Sequence, residues 1–215
     1  MMILNDISVS VQEGNARRTE ELVLKALRDQ YSPVDILREG VAAGIIEARQ
    51  KFQRGEILDS EVLISEWAMK AALGILMPVV TAGENPALGT VVTGTLEGDI
   101  REAEKDIIVC LMRSKGLAVV DLGTSVSAAR FVEAAIAERA DVIACNTALT
   151  VFMPQMKLLV QTALQADIRG KTKILLSGVP VSGCFCKSID ADMYAANPIQ
   201  AAEIAAEHCR KLSGK

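Results

Sequence analysis

From residue 90 onward, short β-branched and apolar runs recur, separated by helix-length spacers: Thr90 to Thr93, Leu117 to Leu122, Asp141 to Cys145 and Lys173 to Leu176. Between them lie helical patterns over Glu102 to Ser114, Ser127 to Arg139 and Pro154 to Ala166, and Pro198 to Leu212 closes the chain. Continuously apolar runs of this length, alternating with whole helices, predict parallel βαβ units with right-handed crossovers. A short fifth strand is expected around Met193-Tyr194. The fold class is therefore read as α/β, a small doubly wound parallel sheet.

In such a sheet ligands sit beyond the carboxyl ends of the strands. Those ends carry Gly94 to Asp99, Gly123 to Ser125, Asn146 to Thr150 and Ser177 to Pro180, four loops expected along one edge. The first is the most distinctive. The run Gly89 to Thr93 ends in the glycine-spaced acidic turn Gly94-Thr95-Leu96-Glu97-Gly98-Asp99 and passes directly into a helix.

Everything before residue 84 reads as helix. Ile3 to Gln12 is a short helix ended by Gly14, and Ala16 to Gln30 places Leu22, Val23, Ala26 and Leu27 at helical spacing. Ser32-Pro33 pairs a hydroxyl N-cap with a proline at the first turn, followed by a helix towards Phe52 that is expected to bend at Gly40 or Gly44. Asp59 or Ser60 caps a last helix whose Trp67, Met69 and Leu73 are read as bundle core, with the alternative that some of them cover a ligand held by the second domain. Four helices with short turns make an antiparallel bundle. The breaker cluster Gly83-Glu84-Asn85-Pro86 sets the expected domains at residues 1–84 and 88–215.

Bulk properties exclude several classes. Only 3% of the 215 residues are aromatic and the net charge is -4, so neither a basic stripe nor stacking residues are available for nucleic acid. Met1 to Gly14 lacks the basic start and apolar core of a secretory leader, and no uninterrupted apolar run reaches bilayer length. Five cysteines at irregular spacing make no disulfide framework, so reduced thiols and a cytoplasmic location are expected.

Recognisable catalytic chemistry is missing. There is no glycine fingerprint for a dinucleotide and no phosphate loop of Walker type. The one histidine, His208, is read as a surface residue of the final helix. Cys184-Phe185-Cys186 has two thiols at i, i+2 without further ligands nearby, and both are read as packing residues.

The whole chain resembles the corrinoid proteins of the methyltransferase systems that demethylate methylamines, methanol and methoxy compounds. The matching stretches are Lys51 to Leu58 with Glu61, Leu63 and Met69, then Gly94 to Ile100, Val120 to Gly123, Leu149-Thr150 with Met153-Pro154, Ser177 to Val181, and Tyr194-Ala195. The resemblance implies a four-helix cap before a Rossmann-like, flavodoxin-like domain that binds cobalamin. It implies a methyl carrier acting between a substrate-specific methyltransferase and an acceptor methyltransferase, and not a stand-alone catalyst. Carried over position by position, the cofactor-binding residues would be Gly98, Asp99, Ile100, Arg101, Glu104, Asn146, Ala148, Leu149, Thr150, Met153, Ser177, Gly178, Val179, Tyr194 and Ala195.

The departure falls at the metal. The family signature in the first loop is Asp-x-His-x-x-Gly, in which the histidine is the lower ligand of cobalt and the glycine gives the nucleotide tail room to pass. Here Asp99 is kept, but Arg101 stands at the histidine position and Glu104 at the glycine position. The family's Ser-x-Leu at the third strand end reads Asn146-Thr147-Ala148. A guanidinium stays protonated and offers no lone pair, so Arg101 cannot replace an imidazole on cobalt. Two readings follow. One is a carrier that binds cobalamin base-off with no protein ligand below the metal. The other is a paralogue that has lost this cofactor mode and serves as a binding module for another tetrapyrrole or for a partner methyltransferase.

Overall fold

A computed structural model describes residues 2–80 and 88–214 of the chain. The chain divides into two compact units, Met1–Gly83 and Glu84–Lys215. The breaker cluster at residues 83–86 lies outside the described residues.

The first unit is helical. Helix α1 (Met2–Gln12) and helix α2 (Ala16–Arg28) are joined by a tight turn in which the Asn15 side chain accepts the Arg18 N–H at 3.0 Å. Pro33 opens a short helix α3 (Pro33–Asp35) that runs through a π-helical stretch, Ile36–Ala42, into α4 (Ala43–Gln53). Ser32 occupies the cap position but makes no side-chain cap bond, so the proline alone starts this helix. The π-helical stretch contains Gly40, one of the two positions where a bend is expected, and Gly44 follows it in α4. A Cβ on Gly44 would lie 2.7 Å from the Ser8 carbonyl, which is why α1 and α4 pack backbone to backbone there.

Helix α5 (Asp59–Val80) begins at Asp59, so Asp59 and Ser60, the expected caps, lie in its first turn and Leu58 precedes it. Glu61 reaches back to accept the Leu58 N–H at 2.8 Å, the carboxylate half of a capping box. By length and composition α5 matches a membrane span, yet it buries Val62, Ser65, Ala68, Met69, Ala72, Leu73 and Leu76 and packs against α2 and α4. That is the arrangement of a core helix in a bundle. Met69 and Leu73 are core as expected, but Trp67 is not: it is 70% exposed. The buried set advances in steps of three and four, which turns Trp67 and Leu63 to the outer side.

The second unit is a five-stranded sheet in the order β2-β1-β3-β4-β5 with every pairing parallel. Its strands are β1 (Thr90–Thr95), β2 (Ala118–Asp121), β3 (Val142–Asn146), β4 (Lys173–Ser177) and β5 (Met193–Ala195). The connecting helices are α6 (Ala103–Ser114), α7 (Ala128–Ala137), α8 (Met153–Gln165) and α9 (Gly183–Ser188), and α10 (Pro198–Ser213) follows β5. Val92, Leu96, Ile143, Cys145, Ile174 and Leu176 form one core with Phe131 of α7 and with Met156 and Leu159 of α8. Strand residues alternate between faces. Thr93, Thr95, Ala144, Asn146, Leu175 and Ser177 therefore point to the other face, the side of α6 and α10.

Helix α9, which is absent from the sequence reading, carries Cys184 and Cys186. Cys186 is buried and packs in the core as expected, whereas Cys184 is exposed. His208, expected at the surface of the final helix, is half-buried, and its buried Nε2 has no hydrogen-bond partner among the described residues.

Candidate functional site

The order 2-1-3-4-5 places a topological switch between β1 and β3, because the chain leaves β1 towards β2 on one side and reaches β3 on the other. The crevice at the carboxyl ends of these two strands is the expected ligand position in a doubly wound sheet. Register pairing aligns Thr95, Asn146, Ser177 and Ala195 in one row across β1, β3, β4 and β5. Apart from Tyr194, one residue before it, the expected binding residues stand on this row or follow it in the chain, so parallel pairing brings these strand ends to one edge.

Two hydroxyl groups build the first loop. Thr95 donates to the Asp99 carbonyl and accepts the Ser125 N–H at 2.9 Å. Ser125 in turn accepts the Gly98 N–H at 3.0 Å, which ties the loop after β1 to the loop after β2. Asp99 is 3% exposed. Its Oδ1 accepts the Arg101 N–H at 3.0 Å, an Asx-type turn that leads the chain into α6.

Asp99 also faces the second loop, where the Thr147 hydroxyl donates towards its Oδ2 at 3.4 Å. Thr147 accepts the Leu149 N–H at 3.2 Å and donates its own N–H to the Ser177 carbonyl at 3.2 Å. Beyond Ser177 the backbone of Gly178 passes so close that a Cβ would lie 1.9 Å from the Thr147 carbonyl. With φ at +122°, this position suits glycine on both counts. The loops after β1, β3 and β4 thus form one hydrogen-bonded rim. Thr95, Ser125 and Thr147 hold that rim together, and none was among the expected site residues. The signal available for them was a hydroxyl residue at a strand end beside an Asp-containing turn.

The rim shows an apolar outer surface. Ile100, Val151 and Val179 are 78%, 68% and 44% exposed, each on the loop after a different one of the adjacent strands β1, β3 and β4. Ala148, Leu149 and Met153 are half-buried beside them, and Thr150 is exposed. Tyr194 and Ala195 lie on the edge strand β5, in register with Leu176 and Ser177.

The positions of the departure behave differently from one another. Arg101 is exposed, just before α6 begins. Glu104, in the first turn of α6, is 7% exposed, and its Oε2 accepts a hydrogen bond from Asn146 Nδ2 at 3.0 Å. Asn146 is 4% exposed, and its Oδ1 has no partner among the described residues. The next residue, Lys105, 3% exposed, pairs with Asp106 at 2.8 Å and with Asp121 at 2.5 Å. Burial works against its ammonium, but the two carboxylates outweigh burial and raise its pKa above the ordinary lysine value. Cys145, on the opposite face of β3, is pushed up first by burial and then by the Asp99 charge. It stays a neutral thiol.

The residues fit a corrin in one respect and not in two others. An apolar rim built on closely approaching backbone suits a broad flat ring. No lone-pair donor stands at position 101. The space beside position 104 is taken by a buried carboxylate–amide pair. No group of three or more His, Cys, Asp or Glu side chains suited to a metal occurs among the described residues.

A helical bundle followed by a five-stranded doubly wound sheet, with a polar-braced and apolar-faced rim at its switch point, defines a ligand-binding protein of the α/β class. Residues 3–77 and residues 89–203 each match a family model described as a B12 binding domain. The chain is 33% identical to trimethylamine corrinoid protein 2 of Methanosarcina acetivorans, over 90% of this chain and 93% of that one. It is 31% identical to a corrinoid protein of Desulfitobacterium hafniense, covering 100% of this chain and 99% of that protein. Among solved structures, the monomethylamine corrinoid protein of Methanosarcina barkeri superposes with a TM-score of 0.82 at 26% identity, over 96% of this chain and 98% of the other. The chain belongs to the corrinoid proteins, the family built from B12 binding domains.

Proposed function

We propose that the chain is a corrinoid-binding methyl carrier of a methyltransferase system. It holds cobalamin with the nucleotide base off the metal and with no protein nitrogen below the cobalt. Residues 1–84 are its cap domain and residues 88–215 its corrinoid-binding domain. The observation that carries this reading is the rim, where Asp99, Thr147 and Gly178 lock the loops after three adjacent strands and Ile100, Val151 and Val179 face outward from them.

The corrin would rest on Gly98 to Arg101, Ala148 to Thr150 with Met153, and Ser177 to Val179, with Tyr194 and Ala195 at the edge. Bound cobalamin would supply a metal that takes up and hands on a methyl group, chemistry that belongs to the cofactor. The protein's part is placement. Asp99, buried and accepting from both Arg101 and Thr147, fixes the turn on which a corrin would rest. Gly178 lets the loop after β4 approach the loop after β3 without a side chain between them.

The names of the relatives, trimethylamine and monomethylamine corrinoid proteins, support a methylated amine or similar compound as methyl source. The partners would be a substrate-specific methyltransferase and an acceptor methyltransferase, with no role for nucleic acid or membrane and with the cytoplasm as location. Gel filtration after mixing with hydroxocobalamin tests the reading. Coloured protein at one corrinoid per chain is expected; a colourless protein peak would overturn it in favour of a module without this cofactor.

A further inference from the structure

Glu104 and Asn146 lie on the α6 side of the sheet, directly below the rim. The resemblance to the Asp-x-His-x-x-Gly signature implies a nucleotide tail passing beside position 104, where that signature has glycine and this chain has glutamate. Here the space holds two buried polar side chains bonded to each other at 3.0 Å, one from the first turn of α6 and one from the end of β3. Admitting a tail would pull them apart and take the carboxylate partner from the buried Asn146 amide, and buried polar groups resist losing their partners.

We infer that the Glu104–Asn146 pair shuts the tail groove, so that this chain recognises the corrin ring with its amide arms and does not select for the complete cofactor. The inference rests on the carrier reading above and concerns what that same rim accepts. A complete cobalamin gains nothing from a closed groove, and to bind base-off it must release its own base from the cobalt. Cobinamide, the corrin without the nucleotide loop, has no such bond to give up. It should bind this chain as tightly as cobalamin, or more tightly.

Equilibrium dialysis of the full chain against aquocobinamide and against hydroxocobalamin decides the matter. The wild-type protein is expected to hold cobinamide with an equal or lower Kd. Glu104→Gly combined with Asn146→Ser is expected to move the preference towards cobalamin by about tenfold or more. A wild-type preference for cobalamin of about tenfold would overturn the inference while leaving the carrier reading intact, and it needs no variant to be measured. A ratio unchanged in a folded double variant would overturn it as well. Retention of neither corrinoid would overturn the carrier reading, and this inference with it.

Discussion

Glu104 and Asn146, 42 positions apart in the chain, meet at 3.0 Å below the rim, and the contact leaves the Asn146 Oδ1 without a donor among the described residues. A glutamine at 104 can accept from Nδ2 with its carbonyl and donate to Oδ1 with its amide. Glu104→Gln therefore keeps the bond to Asn146 and is expected to cost less stability than a variant that loses it. Asn146→Leu removes the donor to a buried carboxylate and should cost about 1–3 kcal/mol. Urea unfolding of the two variants separates these outcomes, and equal losses in both would contradict the pairing.

Gly178 joins the loops after β3 and β4 through backbone contact alone. Alanine there meets the Thr147 carbonyl at 1.9 Å in a conformation that L side chains rarely adopt. Gly178→Ala should lose roughly 2 kcal/mol or more. A midpoint within experimental error of wild type would show that the two loops are not in contact.

Asp99 braces the rim by accepting from the Arg101 N–H and the Thr147 hydroxyl. Asp99→Ala should destabilise the chain by about 1–3 kcal/mol and weaken corrinoid uptake. Thr147→Val, which removes only the hydroxyl, should show the smaller effect of about 1 kcal/mol. Thermal melts paired with dialysis check both. Uptake undiminished in Asp99→Ala would place the ligand elsewhere.

Alkaline pH should unfold the chain progressively. Burial pushes the Cys110 thiol up to about 12 and the Cys209 thiol up to about 11, from an ordinary value of 9.0. An unfolded chain releases these protons first, so their stabilisation is complete below about pH 9 and falls as the pH climbs towards the folded values. Lys105 adds to the same trend, because Asp106 and Asp121 hold its pKa above the ordinary lysine value of about 10.4. The melting temperature should stay level up to about pH 9 and decline beyond it. A level curve up to pH 11 would contradict the burial of these groups.

Strand and helix spacing carried the α/β architecture, because parallel strands buried on both faces are apolar throughout and stand out against amphipathic helices. The loops expected along one edge do lie there, which follows from parallel pairing alone. What pattern could not reveal was local polarity inside the fold. Ser65 is buried in α5 with its hydroxyl donating to the Gln12 carbonyl at 2.9 Å, while Trp67 two residues later faces outward. In a helix apolar on most sides, periodicity does not say which side is the core. Lys105 and Thr147 were hidden in the same way, since their burial depends on partners 16 and 48 positions distant. The displaced signature at 101 and 104 was legible as a change of residue, but that Glu104 turns inward and Arg101 outward is a fact of packing.

The most direct measurement is the electron paramagnetic resonance spectrum of the protein loaded with cobalamin and reduced to Co(II). A nitrogen below the metal splits each cobalt line into a triplet. The account predicts unsplit lines from cobalt bound to the protein, with neither a side chain nor the cofactor's own base beneath it. Triplet lines in the protein-bound fraction would contradict it.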